Sequence, residues 1–207
     1  MFSAIRSFLP YQGDKYISPA KAGELAPMME DTRSKAQAAR KEFTQLAKAI
    51  QAQLPDWELH RTSQWMNQAQ ILRPHFWAYL QREGSEAEPM MALRLYGGED
   101  DFGLSLELSF VERKKDDRTL SKQAKVLDRP IGAPFYYLAV TSGESKRFPA
   151  GPETREQLQA ALAQGEVRKV LVKADVDLTH AHSSEAVVAQ ILRLYPALEA
   201  VYLGTRS

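Results

Sequence analysis

Apolar and polar residues alternate strictly through one segment in the middle of the chain. Every second position of this segment is apolar: Phe102, Leu104, Leu106, Leu108 and Phe110. Because successive side chains of a strand point to opposite faces of a sheet, the pattern predicts one long, half-buried β-strand that extends to Glu112. Residues 90–96 are also strand-like, and the turn residues 97–101 join the two segments. The sequence therefore predicts a hairpin with one apolar face.

The register of this hairpin predicts which residues lie on its other face. If Gly97 pairs with Phe102, the leucines of the two strands face each other, and Arg94 lies beside the central part of the second strand, where Glu107 stands among serines. An Arg and a Glu framed by small residues could form the floor of a ligand groove, so Arg94 and Glu107 are candidate binding residues. The alternative is a solvated sheet face or the seat of a covering helix.

The same segment contains a pattern that is typical of metal-dependent nucleases. Asp100 and Asp101 are followed by Glu112-Arg113-Lys114, which has the Glu-x-Lys spacing. Two carboxylates must lie close together to share a metal ion. At the ends of one strand, Asp101 and Glu112 are separated by about 36 Å. The strand pattern therefore excludes this kind of nuclease site.

The rest of the chain predicts a mixture of helices and strands. A helix over 28–54 has one apolar stripe, and shorter helices are expected before Pro10, over 114–128, from Gly151-Pro152 and from Ser183 to Pro196. Further strands are expected over 75–81, 135–141, 145–148, 169–178 and 198–203. We expect an α+β fold, with a twisted, mainly antiparallel sheet and helices packed on one face. Residues 1–207 form a single domain in this interpretation, with an N-terminal helical arm (1–56) and a sheet core (57–207).

Composition limits the functional classes. The 207 residues have a net charge of +1, which gives no reason to expect strong nonspecific attraction to nucleic acid or to an anionic membrane. Cysteine is absent, which excludes disulfides and thiolate chemistry and fits a cytoplasmic location. No apolar run predicts a signal peptide or a membrane span. The familiar nucleotide-binding, hydrolase and zincin motifs are also absent, so we assign no catalytic residue and no cofactor.

A segment rich in amides and arginine directly precedes an apolar strand. Its candidate binding residues are Arg61, Gln64, Trp65, Asn67, Gln68 and Arg73. Amide and arginine side chains can recognise a ligand through hydrogen bonds. An exposed Trp offers a surface on which a base can stack, or a hot spot of a protein interface. In the alternative interpretation, Trp65 fills the junction between helix and sheet, and the amides satisfy loop backbone.

Two further clusters are weaker candidates. The predicted helix over 114–128 would present Lys114, Arg118, Lys122 and Lys125 along one side as phosphate contacts, although these charges could simply balance nearby acidic residues. A transition-metal site is a speculative alternative for Asp175, Asp177, His180 and His182, because both carboxylates share one side of a strand. An Asp at a strand end and a connector that contains His are ordinary features, so no metal is assigned.

Several blocks of sequence resemble a family of small bacterial cytosolic proteins. They are FLPYQG, QWMNQAQ with ILRPHFW, the hairpin ALRLYG with FGLSLELSFVERKKDD, and VRKVLVKADV. Some members of that family carry the label ribonuclease P. The protein subunit of ribonuclease P is shorter and strongly basic, and it has an Arg-Asn-Arg motif that this sequence lacks. The resemblance therefore implies a cytosolic bacterial protein and transfers no catalytic residue.

Together these patterns favour a non-enzymatic binding protein that recognises a protein partner through the segment 64–73 and the neighbouring sheet face. The alternative is a nucleic-acid-binding or RNA-processing protein of the ribonuclease type. An enzyme that acts on a small molecule at the hairpin face is a third alternative.

Overall fold

The computed structural model describes residues 1–206, which form a single open antiparallel sheet with helices. The spatial order of its strands is β1-β2-β3-β4-β7-β5-β6, and every neighbouring pair is antiparallel. The strands are β1 (Glu58–Leu59), β2 (Trp77–Gln81), β3 (Met90–Gly97), β4 (Phe102–Ser109), β5 (Tyr136–Val140), β6 (Ser145–Pro149) and β7 (Lys169–Asp177). The predicted α+β class and the mainly antiparallel sheet are confirmed.

The central hairpin has the register that the alternation predicts. Gly97 pairs with Phe102, and Leu93 pairs with Leu106 on the apolar face. Strand β4 ends at Ser109, a little before the predicted end at Glu112, and the predicted half-burial is wrong because all eight of its residues are buried. Each strand of the hairpin has an outer neighbour, β2 beside β3 and β7 beside β4, so the hairpin lies in the interior of the sheet.

Five α-helices accompany the sheet in the described part of the chain. They are α1 (Ser3–Phe8), α2 (Ala26–Gln51), α3 (Thr119–Ala124), α4 (Pro152–Ala163) and α5 (Ser184–Gly204). The stripe that predicts α2 is buried from Met29 to Ile50. Ser183 caps α5 as expected, because its hydroxyl oxygen accepts a hydrogen bond from the backbone N–H of Ala186 at 3.0 Å.

The helices bury their apolar side chains against one face of the sheet. Phe43 of α2, Ile191 of α5 and Leu106 of β4 belong to one hydrophobic cluster, together with the buried residues of α1 and α4. Segment 1–56 is therefore part of the main core. Apolar residues on the opposite face of the sheet, such as Met90, are also buried but lie outside this cluster. We call this opposite side of the sheet the second face.

The predicted helix over 114–128 is wrong as a continuous element. The carboxylate of Asp116 accepts hydrogen bonds from the backbone N–H groups of Arg118 and Thr119, at 2.9 and 3.0 Å, and these bonds hold a turn directly before α3, which begins at Thr119. After Ala124 the chain tightens into a 3-10 turn that buries Val126 and Leu127.

The predicted stop at Pro196 and the predicted strand over 198–203 are also wrong. Helix α5 continues through Pro196 to Gly204. Beyond the proline it buries Leu198, Val201 and Tyr202, and the Tyr202 ring lies 4.8 Å from that of Trp57. Burial of these side chains outweighs the loss of one backbone hydrogen bond at the proline.

Helix α5 is long and apolar enough to cross a membrane when judged by length and composition alone. This is weak evidence, since the core helix of a soluble protein has the same properties. In this fold α5 packs against α2, β4 and β7.

Candidate binding surface

The second face of the sheet carries a row of polar side chains across adjacent strands. The register places Glu107 of β4 between Ala92 of β3 and Lys173 of β7, followed by Tyr136 of β5. In the next row, Arg94 lies beside Ser105, and Ser105 lies beside Asp175. Strand pairing therefore brings together charged residues that are far apart in the sequence.

Glu107 lies at the centre of this face and has no exposure to solvent. Its Oε1 atom accepts a hydrogen bond from Arg94 Nε at 3.0 Å. Lys173 Nζ lies 3.0 Å from Oε2. Burial alone would raise the pKa of Glu107, but the nearby charges of Arg94 and Lys173 outweigh burial and lower the pKa. Glu107 is therefore a carboxylate held in its ionised form.

A second cluster surrounds Asp175. Its Oδ1 atom accepts hydrogen bonds from the hydroxyl groups of Ser105 at 2.7 Å and Tyr136 at 3.0 Å. Its Oδ2 atom accepts one from Arg147 Nη1 at 3.2 Å, and the Arg147 guanidinium lies 3.6 Å from the centre of the Tyr136 ring. Burial and the charge of Asp175 raise the pKa of Tyr136, so its hydroxyl remains a hydrogen-bond donor at neutral pH.

Three half-buried aromatic side chains border these clusters. Arg94 lies 5.1 Å from the centre of the Trp77 ring, and the Tyr79 hydroxyl donates a hydrogen bond to the carbonyl of Phe110 at 3.1 Å. Tyr96 lies over Gly103, where a Cβ atom would stand 2.3 Å from the tyrosine oxygen. Gly103 therefore leaves room for the Tyr96 ring to lie across β4.

The chemistry of this face suits binding better than proton transfer. Glu107 is held ionised, and burial together with the charges of Asp175 and Asp177 raises the pKa of Tyr96 to about 12. A general acid or base works best when its pKa is near the working pH. What the face offers is a set of fixed charges and hydrogen-bond donors.

The segment 64–73 lies apart from Arg94 and Glu107. Trp65 is half-buried, packs edge-on against Tyr16 with ring centres 4.9 Å apart, and contacts the hydrophobic cluster on the helix side. The Asn67 side chain holds a turn in this segment, because its amide oxygen accepts a hydrogen bond from the backbone N–H of Ile71 at 2.9 Å. The exposed candidates here are Arg61, Gln64, Gln68 and Arg73. Trp65 therefore packs on the helix side of the sheet, whereas the Arg94–Glu107 pair lies on the second face.

The four basic residues of segment 114–125 do not form one continuous stripe. Lys114 Nζ lies 3.0 Å from a carboxylate oxygen of Glu86, and Lys122 pairs with Glu88. Arg118 is exposed just before α3, whereas Lys125 is half-buried in the following turn. Nearby acidic residues thus balance part of this charge, as the alternative interpretation of the sequence suggested.

The speculative metal ligands are divided between two places. Asp175 belongs to the cluster with Tyr136 and Arg147, whereas Asp177 pairs with His180 at 2.8 Å. His182 is exposed on the connector before α5. Among residues 1–206, no group of three or more His, Asp or Glu side chains is arranged to hold a metal ion.

Sequence reasoning missed three residues of the second face: Lys173, Tyr136 and Arg147. Alternation in β7 places Lys173 and Asp175 on the same side of the strand. The missing information was the pairing of β7 with β4 and β5, which brings distant segments together.

Comparisons with protein-family models, with curated proteins and with solved structures find no match to this chain, so the family resemblance stays a prediction.

Proposed function

We propose that the chain is a non-enzymatic binding protein that recognises a protein partner through the second face of its sheet. The observation that carries the proposal is the fully buried Glu107, held between Arg94 and Lys173 beside half-exposed aromatic rings. Removing charged groups from water costs several kcal/mol per ion, and apolar residues of similar volume are often at least as stabilising. A charged network in this place therefore supports a role in recognition.

The composition of the face also supports a protein partner. Trp, Tyr and Arg are enriched at the centres of protein interfaces, where rings and guanidinium groups supply most of the binding energy. Trp77, Tyr79, Tyr96 and Arg94 lie together on β2 and β3, and the side chain of Arg94 is 31% exposed. A partner could cover these groups without breaking the ion pairs beneath them.

Charge balance favours a protein over a nucleic acid. Glu107 lies between Arg94 and Lys173, and Asp175 pairs with Arg147, so two carboxylates offset most of the charge of three cations. Nonspecific nucleic-acid binding depends on uncompensated cations that release counterions from phosphates. The lack of cysteine supports a cytosolic location as part of the same proposal.

Site-specific photo-crosslinking tests this proposal. Trp77 is replaced by p-benzoylphenylalanine, and the same replacement at Arg33, whose side chain is 46% exposed on α2, is the control. We expect a crosslink to a defined protein from position 77 that is absent from position 33. The purified partner should then bind the parent chain, and Trp77→Ala should weaken its Kd at least about tenfold, as for an interface hot spot.

Two outcomes contradict the proposal. One is that position 77 gives no crosslinked protein, or that the purified partner binds Trp77→Ala as tightly as the parent. The other is that random single-stranded RNA binds at low salt, with an affinity that falls steeply as salt rises. That second result favours the nucleic-acid alternative.

A further inference from the structure

Strand β6 forms one edge of the sheet and has an unpaired side. It is the last strand in the sheet order and pairs with β5 alone. Four of its five residues are exposed, and Phe148 is half-buried. An exposed edge strand presents a row of backbone N–H and C=O groups that can pair with another extended chain.

The hairpin turn indicates which backbone groups point outward. The N–H of Thr141 donates a hydrogen bond to the carbonyl of Glu144 at 2.9 Å. Because hydrogen-bonded and non-hydrogen-bonded pairs alternate in an antiparallel ladder, Lys146 and Phe148 bond to β5. The N–H and C=O groups of Ser145 and Arg147 then face away from the sheet. Pro149, which has no N–H, falls in the same outward set, where the missing donor costs no bond to β5.

The Arg147 side chain has hydrogen-bond donors that the fold does not use. It is 62% exposed, and its position over the Tyr136 ring fixes its orientation. Only Nη1 bonds to Asp175, so within residues 1–206 the Nε and Nη2 donors have no hydrogen-bond partner. A guanidinium held in this way can receive a carboxylate through two parallel hydrogen bonds.

An apolar groove lies next to this guanidinium. It has a volume of about 440 Å³, and its lining includes Pro134, Phe135, Tyr136 and Pro149 together with Arg147. Side chains of β6 that share the second face are two residues apart, as Arg147 and Pro149 are. An added strand would therefore place one side chain beside Arg147 and the next one on that face at the groove.

The charge of β6 selects the kind of strand that it can accept. Lys146 and Arg147 are adjacent, and the strand contains no acidic residue. In a symmetric pairing of two copies, these cations would oppose like charges, which is destabilising. The same charges attract an acidic segment.

We propose that an acidic, extended segment of a protein partner adds to β6 as an eighth strand. Its carboxylate pairs with Arg147, and an apolar side chain two residues away fills the groove. This inference rests on the proposed function, since it names the chemistry of the partner at one end of the same sheet face. Trp77 lies five strands away, about 24 Å across the sheet.

Peptide selection on the intact protein tests this inference. A random dodecapeptide library displayed on phage is selected on the immobilised protein, and the enriched peptides are synthesised and measured by fluorescence anisotropy. We expect an Asp or Glu two residues from an apolar residue. Because backbone pairing alternates along a strand, N-methylation should abolish binding at every second peptide position and should be tolerated in between.

Two variants that remove the same charge distinguish specific binding at Arg147 from nonspecific electrostatic attraction. Arg147→Gln should weaken the Kd at least about tenfold through loss of a charged hydrogen-bonded pair. Lys146→Gln removes the same charge from the other face of β6 and should change the Kd less than about threefold. Circular dichroism and melting temperatures verify that both variants are folded.

The inference is overturned if no peptide is enriched, if the enriched peptides lack an acidic residue, if N-methylation shows no alternation, or if both variants bind as the parent does. The Trp77→Ala variant distinguishes failure of this inference from failure of the proposed function, since it should bind these peptides as the parent does. A crosslinked partner at position 77 without any peptide binding at β6 would remove this inference and leave the proposed function standing.

Discussion

At the scale of single residues, Glu107 is the side chain on which most of the second face depends. Removing one partner of a buried ion pair leaves the other charges without compensation, which typically costs 3–5 kcal/mol. We therefore expect Glu107→Gln to lower the free energy of unfolding by about 3–5 kcal/mol, since Arg94 and Lys173 would remain close together without the carboxylate. Urea denaturation at pH 7 measures this change.

Glu112→Gln is the matched control for that substitution. Glu112 contacts three cations, Lys115, Arg168 and Lys169, but its side chain is 45% exposed. Exposed ion pairs contribute less than about 1 kcal/mol because water and salt screen them. Equal losses in the two variants would mean that burial on the second face gives Glu107 no special importance.

Only part of this cluster could be predicted from the sequence. The hairpin register places Arg94 near Glu107, because a short turn fixes how the two strands pair. A helix, a hairpin and a further helix separate Lys173 from Glu107 along the chain. Local patterns carry no information about which distant strand becomes the neighbour of β4.

At the scale of elements, Pro196 provides the sharpest test. It is exposed within α5, where proline lacks the N–H that would bond to the carbonyl four residues earlier. Proline costs about 3 kcal/mol more than alanine in a helix interior, and part of this is offset because proline also restricts the unfolded chain. We expect Pro196→Ala to raise the free energy of unfolding by about 2 kcal/mol. Chemical denaturation of the parent and the variant measures the difference.

Ala200→Gly tests the same helix beyond the proline. Ala200 is exposed, so the substitution removes little packing and mainly reports helix propensity. A loss of about 1 kcal/mol is expected if this region is helical. No loss at Ala200, or no gain at Pro196, would contradict the continuous helix and would favour the strand that the sequence predicted over 198–203.

The elements differ in how well the sequence predicted them, and the difference has a physical cause. The stripe of α2 and the alternation in β4 are long, regular patterns, and both elements are confirmed, although β4 is buried on both faces and not on one. Helix α3 is short, and hydrogen bonds to the Asp116 side chain hold a turn directly before it. Helix α5 passes through a residue that normally ends helices because its last turns pack against Trp57. Local rules fail where side-chain hydrogen bonds or tertiary packing outweigh propensity.

At the scale of the whole molecule, ion pairs link the carboxylates to the stability of the fold. Interactions with cations hold the pKa of Glu112 at about 2, compared with its ordinary value of 4.5, and lower the pKa of Glu88 as well. Glu88, in the loop between β2 and β3, pairs with Lys122 and with Arg206, so these contacts tie that loop to α3 and to the residues after α5. Acid should therefore loosen several distant contacts at once.

The sign of the pH dependence follows from these lowered pKa values. A carboxylate with a lower pKa in the folded state stabilises the fold above its unfolded pKa, and this contribution is lost as pH falls through the folded pKa. We expect the free energy of unfolding to fall progressively below about pH 4.5. The slope should be roughly 1.4 kcal/mol per pH unit for each proton that the chain takes up when it unfolds. Urea denaturation between pH 7 and pH 3 measures the slope.

Glu88→Gln assigns part of that slope to one carboxylate. The Glu88 side chain is 20% exposed, so its pairing with Lys122 and Arg206 should contribute about 1 kcal/mol at pH 7. The variant should be less stable than the parent by about this amount at pH 7, and the gap should narrow as pH falls below 4.5, because protonation removes the same charge from the parent. A gap that stays constant down to pH 3 would mean that Glu88 acts through packing or hydrogen bonding that does not depend on its charge.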